Sequence, residues 1–304
     1  MDRFHELEVF VAVAEELSFA GAARRMDVSP AAVTRAIGAL EDRLGVRLLR
    51  RTTRQVSTTA AGDAYLEDAR RLLLDLQSAD AALAGTEATP RGQISITAPQ
   101  LFGRDFVLPG IMEYLGRYPE SSVNAVFLDR VVNLLDEGLD VGIRIAQLED
   151  SGLIARHVGS IRTVLCASPD YVRGNHKPDR PEDLTRATTI AVAATGSAWQ
   201  FREGRRTRSV RLRPRLTVTT NDAAIAAAVS GFGIVRLLSY QVAADVQAGR
   251  LQLLLEDYEP PPRPVSIVHR EGRRPSARVR AFVDLLTERL RGDERLNPGG
   301  YQPA

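Results

Sequence analysis

Cysteine is nearly absent: Cys166 is the single one in 304 residues, which excludes an internal disulfide and a cysteine-based zinc site. Lysine is as scarce, Lys177 being the one lysine among 40 basic side chains. An arginine excess spread over the whole chain marks no site by itself. The four histidines, His5, His157, His176 and His269, are scattered and lack a ligand spacing such as i, i+4, so they read as structural or solvated. No metal and no cofactor is expected, and no nucleophile motif of the form G-x-S-x-G occurs. No run approaches 18 apolar residues, so no membrane span is expected. The opening MDRFHELEVFVAVAEE carries acids inside its apolar stretch and no small-residue cleavage site. A secretory signal is therefore not expected, and the cytoplasm is the expected compartment. Net charge is only +2, too little to name a partner.

What is present is the balance of an ordinary soluble protein with buried cores, 44% hydrophobic and 26% charged. At roughly 150 residues per domain the length suits two domains, or three small ones.

The first 57 residues read as short helices followed by a basic hairpin. Over His5–Leu17, Val9, Phe10, Val13 and Leu17 share one helical face. Ser18 then stands where an N-cap belongs, before a second short helix over Phe19–Met26. Asp27-Val28 makes a turn, and Ser29-Pro30 is a strong helix start, a capping hydroxyl followed by proline at the first helical position. The third helix points Val33, Ile37, Leu40 and Leu44 inward and ends at Gly45. Two short helices joined by a tight turn fit a helix-turn-helix.

The sequence VRLLRRTTRQVST follows. Two β-prone runs flank Arg50-Arg51-Thr52-Thr53-Arg54, and Arg43–Arg54 holds five arginines and no acid. A basic hairpin directly behind a helix-turn-helix is a wing, suited to tracking a phosphate backbone or entering a minor groove. On the third helix, Thr34 and Arg35 lie off the core face. Arginine pairs bidentately with guanine, and threonine touches a thymine methyl or hydrogen-bonds a base edge. Ala31 and Ala32 are small enough for close approach, and Ser29 and Pro30 stand where a helix start favours phosphate. The expected DNA contacts are Ser18, Ser29, Pro30, Ala31, Thr34, Arg35, Arg51, Thr52, Thr53 and Arg54, against double-stranded DNA.

From Thr59 to Leu83 the pattern is one long helix. Tyr65, Ala69, Leu72, Leu76, Ala79 and Leu83 recur at 4-3-4-3-4, an a/d seam of nearly three heptads that favours a two-helix dimer contact. Residues 85–92, with Pro90, read as a linker.

The remainder, to about Leu290, alternates strands and helices. Strands are expected at Gln93–Ala98, Val123–Leu128, Val141–Ile145, Leu153–Val158, Thr163–Ala167, Thr189–Ala193, Val210–Arg213, Leu216–Thr219, Gly233–Leu237, Leu251–Leu255 and Pro264–His269. Helices are expected at Phe106–Tyr118, Val131–Glu137, Asp222–Ser230, Gln241–Ala248 and Ala277–Leu290. These βαβ repeats imply a largely parallel sheet with helices on its faces. The tail from Arg291 is Gly, Pro and polar, and is expected to be disordered.

Several other groups have ordinary readings. Cys166 lies in the apolar run TVLCAS, a buried strand position. Gly231-Phe232-Gly233 begins like a dinucleotide fingerprint, but it follows a helix and precedes a strand, the wrong order. Asp136, Glu137 and Asp140 read as the solvated end of a helix. The run Arg202–Arg215 holds seven arginines in fourteen residues, and its alternation suggests a β-hairpin with arginines on the wet face.

The stretch FVAVAEELSFAGAARRMDVSPAAVTRAIGALEDRLGVRLLRRTTRQVSTTAAG closely resembles the winged helix-turn-helix and linker-helix start of LysR-type transcriptional regulators. DVGIR (Asp140–Arg144), SPDYV (Ser168–Val172) and TNDAAIAAAVSGFGIVRLLSYQV (Thr220–Val242) resemble that family's effector domain more loosely. The resemblance implies an α/β protein with an all-α winged helix-turn-helix N-terminal domain, a long linker helix, and a two-lobed periplasmic-binding-protein-like effector domain. The implied layout is residues 1–58 for DNA binding, 59–90 for the linker and dimerisation helix, and 91–291 for the effector domain, with 292–304 a tail. Lobe one would be 91–161 with 266–291, and lobe two 162–265. It further implies a homodimer that pairs into a homotetramer, and a small organic effector held between the lobes.

In open α/β sheets ligands bind at the carboxyl ends of strands. The cleft walls would then include Thr97, Pro99, Gln100, Leu101, Phe102, Asp129, Arg144 and Ile145, with Trp199, Phe201, Thr219, Asn221 and Arg236 from lobe two. Some family members grip a carboxylate with small hydroxyl residues after the first strand. Pro99, Gln100, Leu101 and Phe102 stand there instead, which points to an apolar or aromatic effector. Arg144 is expected to pair with Asp129 or Asp140 and brace the lobe. The rival readings are a solute-binding module with a helical cap and an enzyme acting on a nucleotide or acyl substrate. The basic wing argues against the first, and the isolated histidines and absent nucleophile motif against the second.

Overall fold

The structure, a computed structural model, describes residues 2–51, 56–83, 89–148, 152–270 and 275–298. It forms two compact units. One holds the N-terminal residues through Gln93 with Tyr118–Ser122 and Ser276–Arg278; the other holds Ile94–Arg117, Val123–Pro275 and the residues from Val279 on.

The N-terminal unit begins with α1 (Arg3–Glu16), α2 (Phe19–Arg25) and α3 (Pro30–Leu44). Each start is capped as the sequence demands. Asp2, Ser18 and Ser29 accept from the Phe4, Gly21 and Ala32 amides, which satisfies donors that a helix end leaves open. Val9, Phe10, Val13, Val33, Ile37 and Leu40 are fully buried in one core. Strands β1 (Leu49–Arg51) and β2 (Val56–Thr58) form the antiparallel wing. Helix α4 (Ala60–Leu83) follows. Thr59 caps it, accepting from the Gly62 amide at 2.9 Å while donating to the Arg47 carbonyl at 2.8 Å.

The second unit carries β3 (Gly92–Ala98), α5 (Gln100–Phe102), a π-turn over Gly103–Val107, α6 (Leu108–Arg117), β4 (Ser121–Phe127), β5 (Val141–Ile145) and β6 (Ile154–Ile161). The expected helix from Phe106 in fact starts at Gln100. Pro109 has no N–H to give, and the π-turn just before it lets the run continue past the proline. The chain then forms β7 (Thr163–Ala167), α7 (Pro169–Gly174), β8 (Thr189–Val192), β9 (Ala198–Glu203), β10 (Arg206–Arg211), β11 (Leu216–Val218), α8 (Asn221–Val229), β12 (Ile234–Leu238), α9 (Ser239–Gln247) and β13 (Gln252–Leu254). It closes with β14 (Arg263–His269) and α10 (Ala277–Arg291).

Two five-stranded sheets result, β4-β3-β5-β14-β6 in lobe one and β11-β8-β12-β7-β13 in lobe two. They are mixed rather than largely parallel: β3/β5, β8/β11 and β8/β12 run parallel, while β14 pairs antiparallel with β5 and β6, and β7 with β12 and β13. The chain crosses between sheets after Ile161 and returns before Arg263. Arg162 binds both Glu259, at 2.7 and 2.8 Å, and Glu256, at 3.3 Å, tying one crossing to the other.

Two further expectations fail. Residues 131–137 form no helix: the chain is irregular there and then turns, because the Asn133 side chain accepts from the Leu135 amide and competes with the helical pattern. The carboxylates Asp136, Glu137 and Asp140 accordingly do not share a helix end: Glu137 pairs with Arg130, and Asp140 is buried. The tail is ordered as far as Pro298, with Leu296 fully buried and the Asn297 amide donating to the Val158 and Leu290 carbonyls at 3.0 Å. Residues 299–304 lie outside the described residues.

Candidate functional site

On α3, Ser29 and Pro30 form the capped start, Ala31 is exposed, and Val33, Ala36, Ile37 and Leu40 face the core. Thr34 and Arg35 are exposed on the other side. The Thr34 hydroxyl donates to the Pro30 carbonyl at 2.9 Å, which fixes its orientation and leaves its oxygen free to accept. Arg35 has no carboxylate partner among the described residues. Ser18 is spent on capping α2.

The wing is fixed by a residue the sequence reading missed. Glu41, on the core side of α3, is buried, and its carboxylate accepts from the Leu48 and Leu49 amides at 2.8 and 3.1 Å and from Arg47 at 2.7 Å. Burial works against its charge, yet Arg47 and the two amides hold its carboxyl below the usual glutamate range. Glu6 is buried likewise and is gripped by Arg43. Glu15 joins α1 to Arg25 and Arg70, tying the helix-turn-helix to α4. A glutamate on a helix reads as solvated, so the only signal was its place among arginines. Arg50 is exposed. The Arg51 backbone pairs with Val56, while Thr52, Thr53 and Arg54 lie outside the described residues.

Helix α4 divides the expected seam. Ala69 is fully buried and Tyr65 packs 5.8 Å from Phe10, so both belong to the chain's own N-terminal core, joined by Leu66 and Leu73. Leu72 and Leu76 remain outward, 48% and 37% exposed. The Ala79 and Leu83 side chains lie outside what is described. A 24-residue helix has more than one apolar face to satisfy, and the spacing alone does not say which partner takes which residue.

In the second unit, Asp129 joins the lobes. Its carboxylate accepts from the Gln100 amide at 3.0 Å and from the Asn221 side chain at 2.9 Å. Beside it, Phe102 stacks on Phe106 at 4.5 Å, and Tyr240 of lobe two meets both rings edge-on at 5.6 and 5.5 Å. Burial pushes the Tyr240 phenol up, so it stays protonated. Pro99 is half-buried and Gln100 exposed; Thr97, Leu101 and Phe102 are buried; Ile145 is half-buried and Thr219 exposed.

Trp199 and Phe201 are not cleft walls. Both are 1% exposed inside lobe two's own core. In the β9–β10 hairpin Trp199 lies opposite Val210, and the inward face of that pair packs on the sheet. Arg144 pairs with neither Asp129 nor Asp140. It donates to the Val132 and Ile143 carbonyls, and burial lowers its affinity for its proton. Asp140 instead accepts from the Ser95 amide at 2.8 Å and from Arg270 at 3.3 Å. Arg236 lies over the Trp199 ring, 5.5 Å from its centroid.

Cys166 is fully buried and its thiol is pushed up to about 12, which makes it inert at neutral pH. Among the described residues no group of three metal-binding side chains occurs, and no helix is long and apolar enough to cross a membrane.

Comparison with known proteins agrees with this geometry. Residues 4–63 match the family model described as bacterial regulatory helix-turn-helix protein, lysR family, and residues 87–291 match the LysR substrate binding domain. The chain is 31% identical to the HTH-type transcriptional regulator CrgA of Neisseria meningitidis, over 94% of this chain and 96% of that one. It is 32% identical to an HTH-type transcriptional repressor of Pseudomonas aeruginosa, over 95% and 92%. The structure of CrgA, a LysR-type regulator from Neisseria meningitidis, superposes with a TM-score of 0.61 at 30% identity, covering 95% of this chain and 99% of that one. The full-length Vibrio cholerae virulence activator AphB gives 0.61 at 25% identity, covering 94% and 99%. A helix-turn-helix with its wing, two linked α/β lobes and matches over nearly the whole length lead to one conclusion: the chain belongs to the LysR family of DNA-binding transcriptional regulators with an effector-binding domain.

Proposed function

We propose that α3 reads base edges in a major groove through Thr34 and Arg35. Ser18, Ser29, Pro30 and Ala31 lie against the backbone, and Arg51, Thr52, Thr53 and Arg54 of the wing follow the phosphates. The observation that carries this reading is Arg35: exposed, without a carboxylate partner among the described residues, and mounted on a helix whose start is capped and whose far end is anchored to the wing by Glu41. Two copies join through the outward Leu72 and Leu76, with Ala79 and Leu83 continuing the contact, and dimers pair into a tetramer. The work is done where the DNA is, in the cytoplasm, and no catalytic role is assigned. A small organic effector sits where Gln100, Asp129 and Asn221 join the lobes. It shifts the balance between lobe arrangements only by binding one better than the other. The layout follows: residues 1–58 for DNA, 59–90 for pairing, 91–291 for the effector.

The test is fluorescence anisotropy on DNA from upstream of the gene. Arg35→Ala should weaken specific binding by about 1–3 kcal/mol and relax preference at one base per half-site. Unchanged affinity and unchanged preference would remove α3 as the reader.

A further inference from the structure

Lobe two contains a cation that its own fold does not answer. Arg236 is half-buried in β12, in the middle of the sheet. It shares the strand face of Ile234, the face covered by the core that contains Trp199, and its guanidinium lies over that ring at 5.5 Å. No hydrogen bond or ion pair to a carboxylate forms among the described residues. Burial and the neighbouring Arg263 together depress its affinity for its proton to about 10. Taking a guanidinium out of water without a counter-charge is costly, and natural proteins rarely leave one so.

A second group stands unanswered beside it. In the β12–β7 ladder Arg236 lies opposite Leu165, and Leu238 opposite Thr163. Side chains alternate across a strand, so Thr163 shares the face of Leu165 and is the diagonal neighbour of Arg236. Thr163 is 4% exposed, and its hydroxyl has no hydrogen-bond partner among the described residues. Buried hydroxyls are satisfied as a rule, so an exception calls for a reason. The position supplies one. Thr163 opens the first strand after the crossing into lobe two, and Arg263, opposite Ile161, is the first strand residue after the return. The unmatched groups gather at the hinge of an effector-binding domain.

We propose that Arg236 and Thr163, flanked by Arg263, form an anion subsite at the hinge edge of lobe two that takes the carboxylate of a small organic acid. A guanidinium fork and a hydroxyl are complementary to the two oxygens of one carboxylate, and the Trp199 ring holds the fork flat. The inference rests on reading residues 91–291 as an effector domain and gives that effector a charge. It adds a charged group to the apolar or aromatic effector expected from Pro99, Gln100, Leu101 and Phe102, while Trp199 and Phe201, expected as facing walls, are buried.

The experiment measures melting of the full chain with sodium benzoate, sodium acetate and benzamide, in the parent and in Arg236→Gln and Thr163→Val. The two carboxylates should raise the melting temperature and benzamide should not. Thr163→Val should melt higher than the parent without probe, because it removes an unsatisfied buried hydroxyl, and Arg236→Gln should melt no lower, because it exchanges a buried charge for a neutral amide. Both should bind the carboxylates at least about tenfold more weakly. Thr163→Ser should keep the parent's response. The subsite is overturned if no carboxylate stabilises the parent, or if either variant melts below it without probe. A benzamide response equal to that of benzoate, or a carboxylate response surviving both substitutions, also overturns it, but leaves the domain a small-molecule binder. Operator affinity, recorded alongside, reports the DNA-reading role independently.

Discussion

In the N-terminal unit Glu6 and Glu41 are buried, and arginine grips each of them; in the sheet of lobe two Arg236 is half-buried, and no carboxylate among the described residues answers it. The first arrangement is that of a part that must keep one shape. A reading helix is useful only if its angle to the wing is constant, and a carboxylate accepting two backbone amides and a guanidinium fixes that angle. The second is that of a part that completes itself with something from outside. Unsatisfied groups there cost stability in the free protein and recover it on binding, which is how a ligand gains purchase on a conformation.

The N-terminal unit leaves leucines open along α4, and that surface gives the largest expected effect. Leu72 and Leu76 are outward on α4, 48% and 37% exposed. Leu72→Asp combined with Leu76→Asp should leave the monomer folded but place charges against an apolar partner, at a cost of several kcal/mol. Light scattering should show loss of the dimer, and operator binding should fall with it. An unchanged oligomer would mean that the exposed leucines serve no partner, and that this unit too tolerates unfilled surface.

Next in size is a test of how tightly that unit is closed. A Cβ on Gly62 would collide with the Leu48 carbonyl oxygen, where α4 crosses the strand leading into the wing. Backbone cannot yield as a flexible side chain can. Gly62→Ala should cost about 3 kcal/mol, the upper part of the range for overpacking. The measurement is the midpoint of the N-terminal transition in urea. Gly38, on α3, meets nothing within 4 Å, so Gly38→Ala should instead leave that midpoint the same or raise it.

Glu41 sharpens the comparison through pH. Its folded carboxyl is held below the ordinary value, so its stabilisation is present in full above the ordinary value, begins to fall below it, and is lost as pH drops through the lowered folded value. The parent should therefore lose stability from about pH 4–5 downward. Glu41→Gln should start lower at neutral pH by about 1–3 kcal/mol, the cost of weakening a buried charged hydrogen-bond set, and should lack that part of the acid step. Parallel pH profiles for the two proteins would show that the buried carboxylate is not what holds the wing.

These contrasts also mark what the residues alone disclosed. Helices α2 and α3 were legible because their starts carry serine caps, a local chemistry that needs no partner. Helix α1, read from its apolar face as His5–Leu17, instead starts at Arg3 under the Asp2 cap and ends before Leu17, which is left-handed and exposed. Strands β5 and β7 were legible to the residue because both are short apolar runs between polar breaks. The reading failed where distant chain decides. Trp199 and Phe201 alternate along β9, but only pairing with β10 across Gly204 shows which way they face. Val132 and Leu134 are apolar as a packed helix would need, yet both are buried from the irregular connection between β4 and β5. Tyr65 and Ala69 continue a heptad seam that their own domain claims first. Asp129 was legible as a cleft residue but not as the acceptor that joins the lobes, and Glu41 had only its place among arginines, since a carboxylate's importance lies in the amides that reach it.

The smallest effect belongs to the clasp between the lobes. Asn221 donates to Asp129 at 2.9 Å, and the same carboxylate accepts from the Gln100 amide. A contact meant to open must be weak, and a single donor to a partly exposed carboxylate contributes about 1.5 kcal/mol, the low end for hydrogen bonds to charged groups. Asn221→Ala should therefore lower the melting temperature little. Hydrogen exchange carries the finer information. The Gln100 amide should exchange faster once Asp129 loses its second partner and the lobes part more often, while the Leu48 and Leu49 amides under Glu41 stay protected. A loss above about 3 kcal/mol would place the clasp among buried charged networks. The lobes would then be locked as firmly as the wing, and the contrast between a fixed reading head and a yielding effector domain would fail at its central contact.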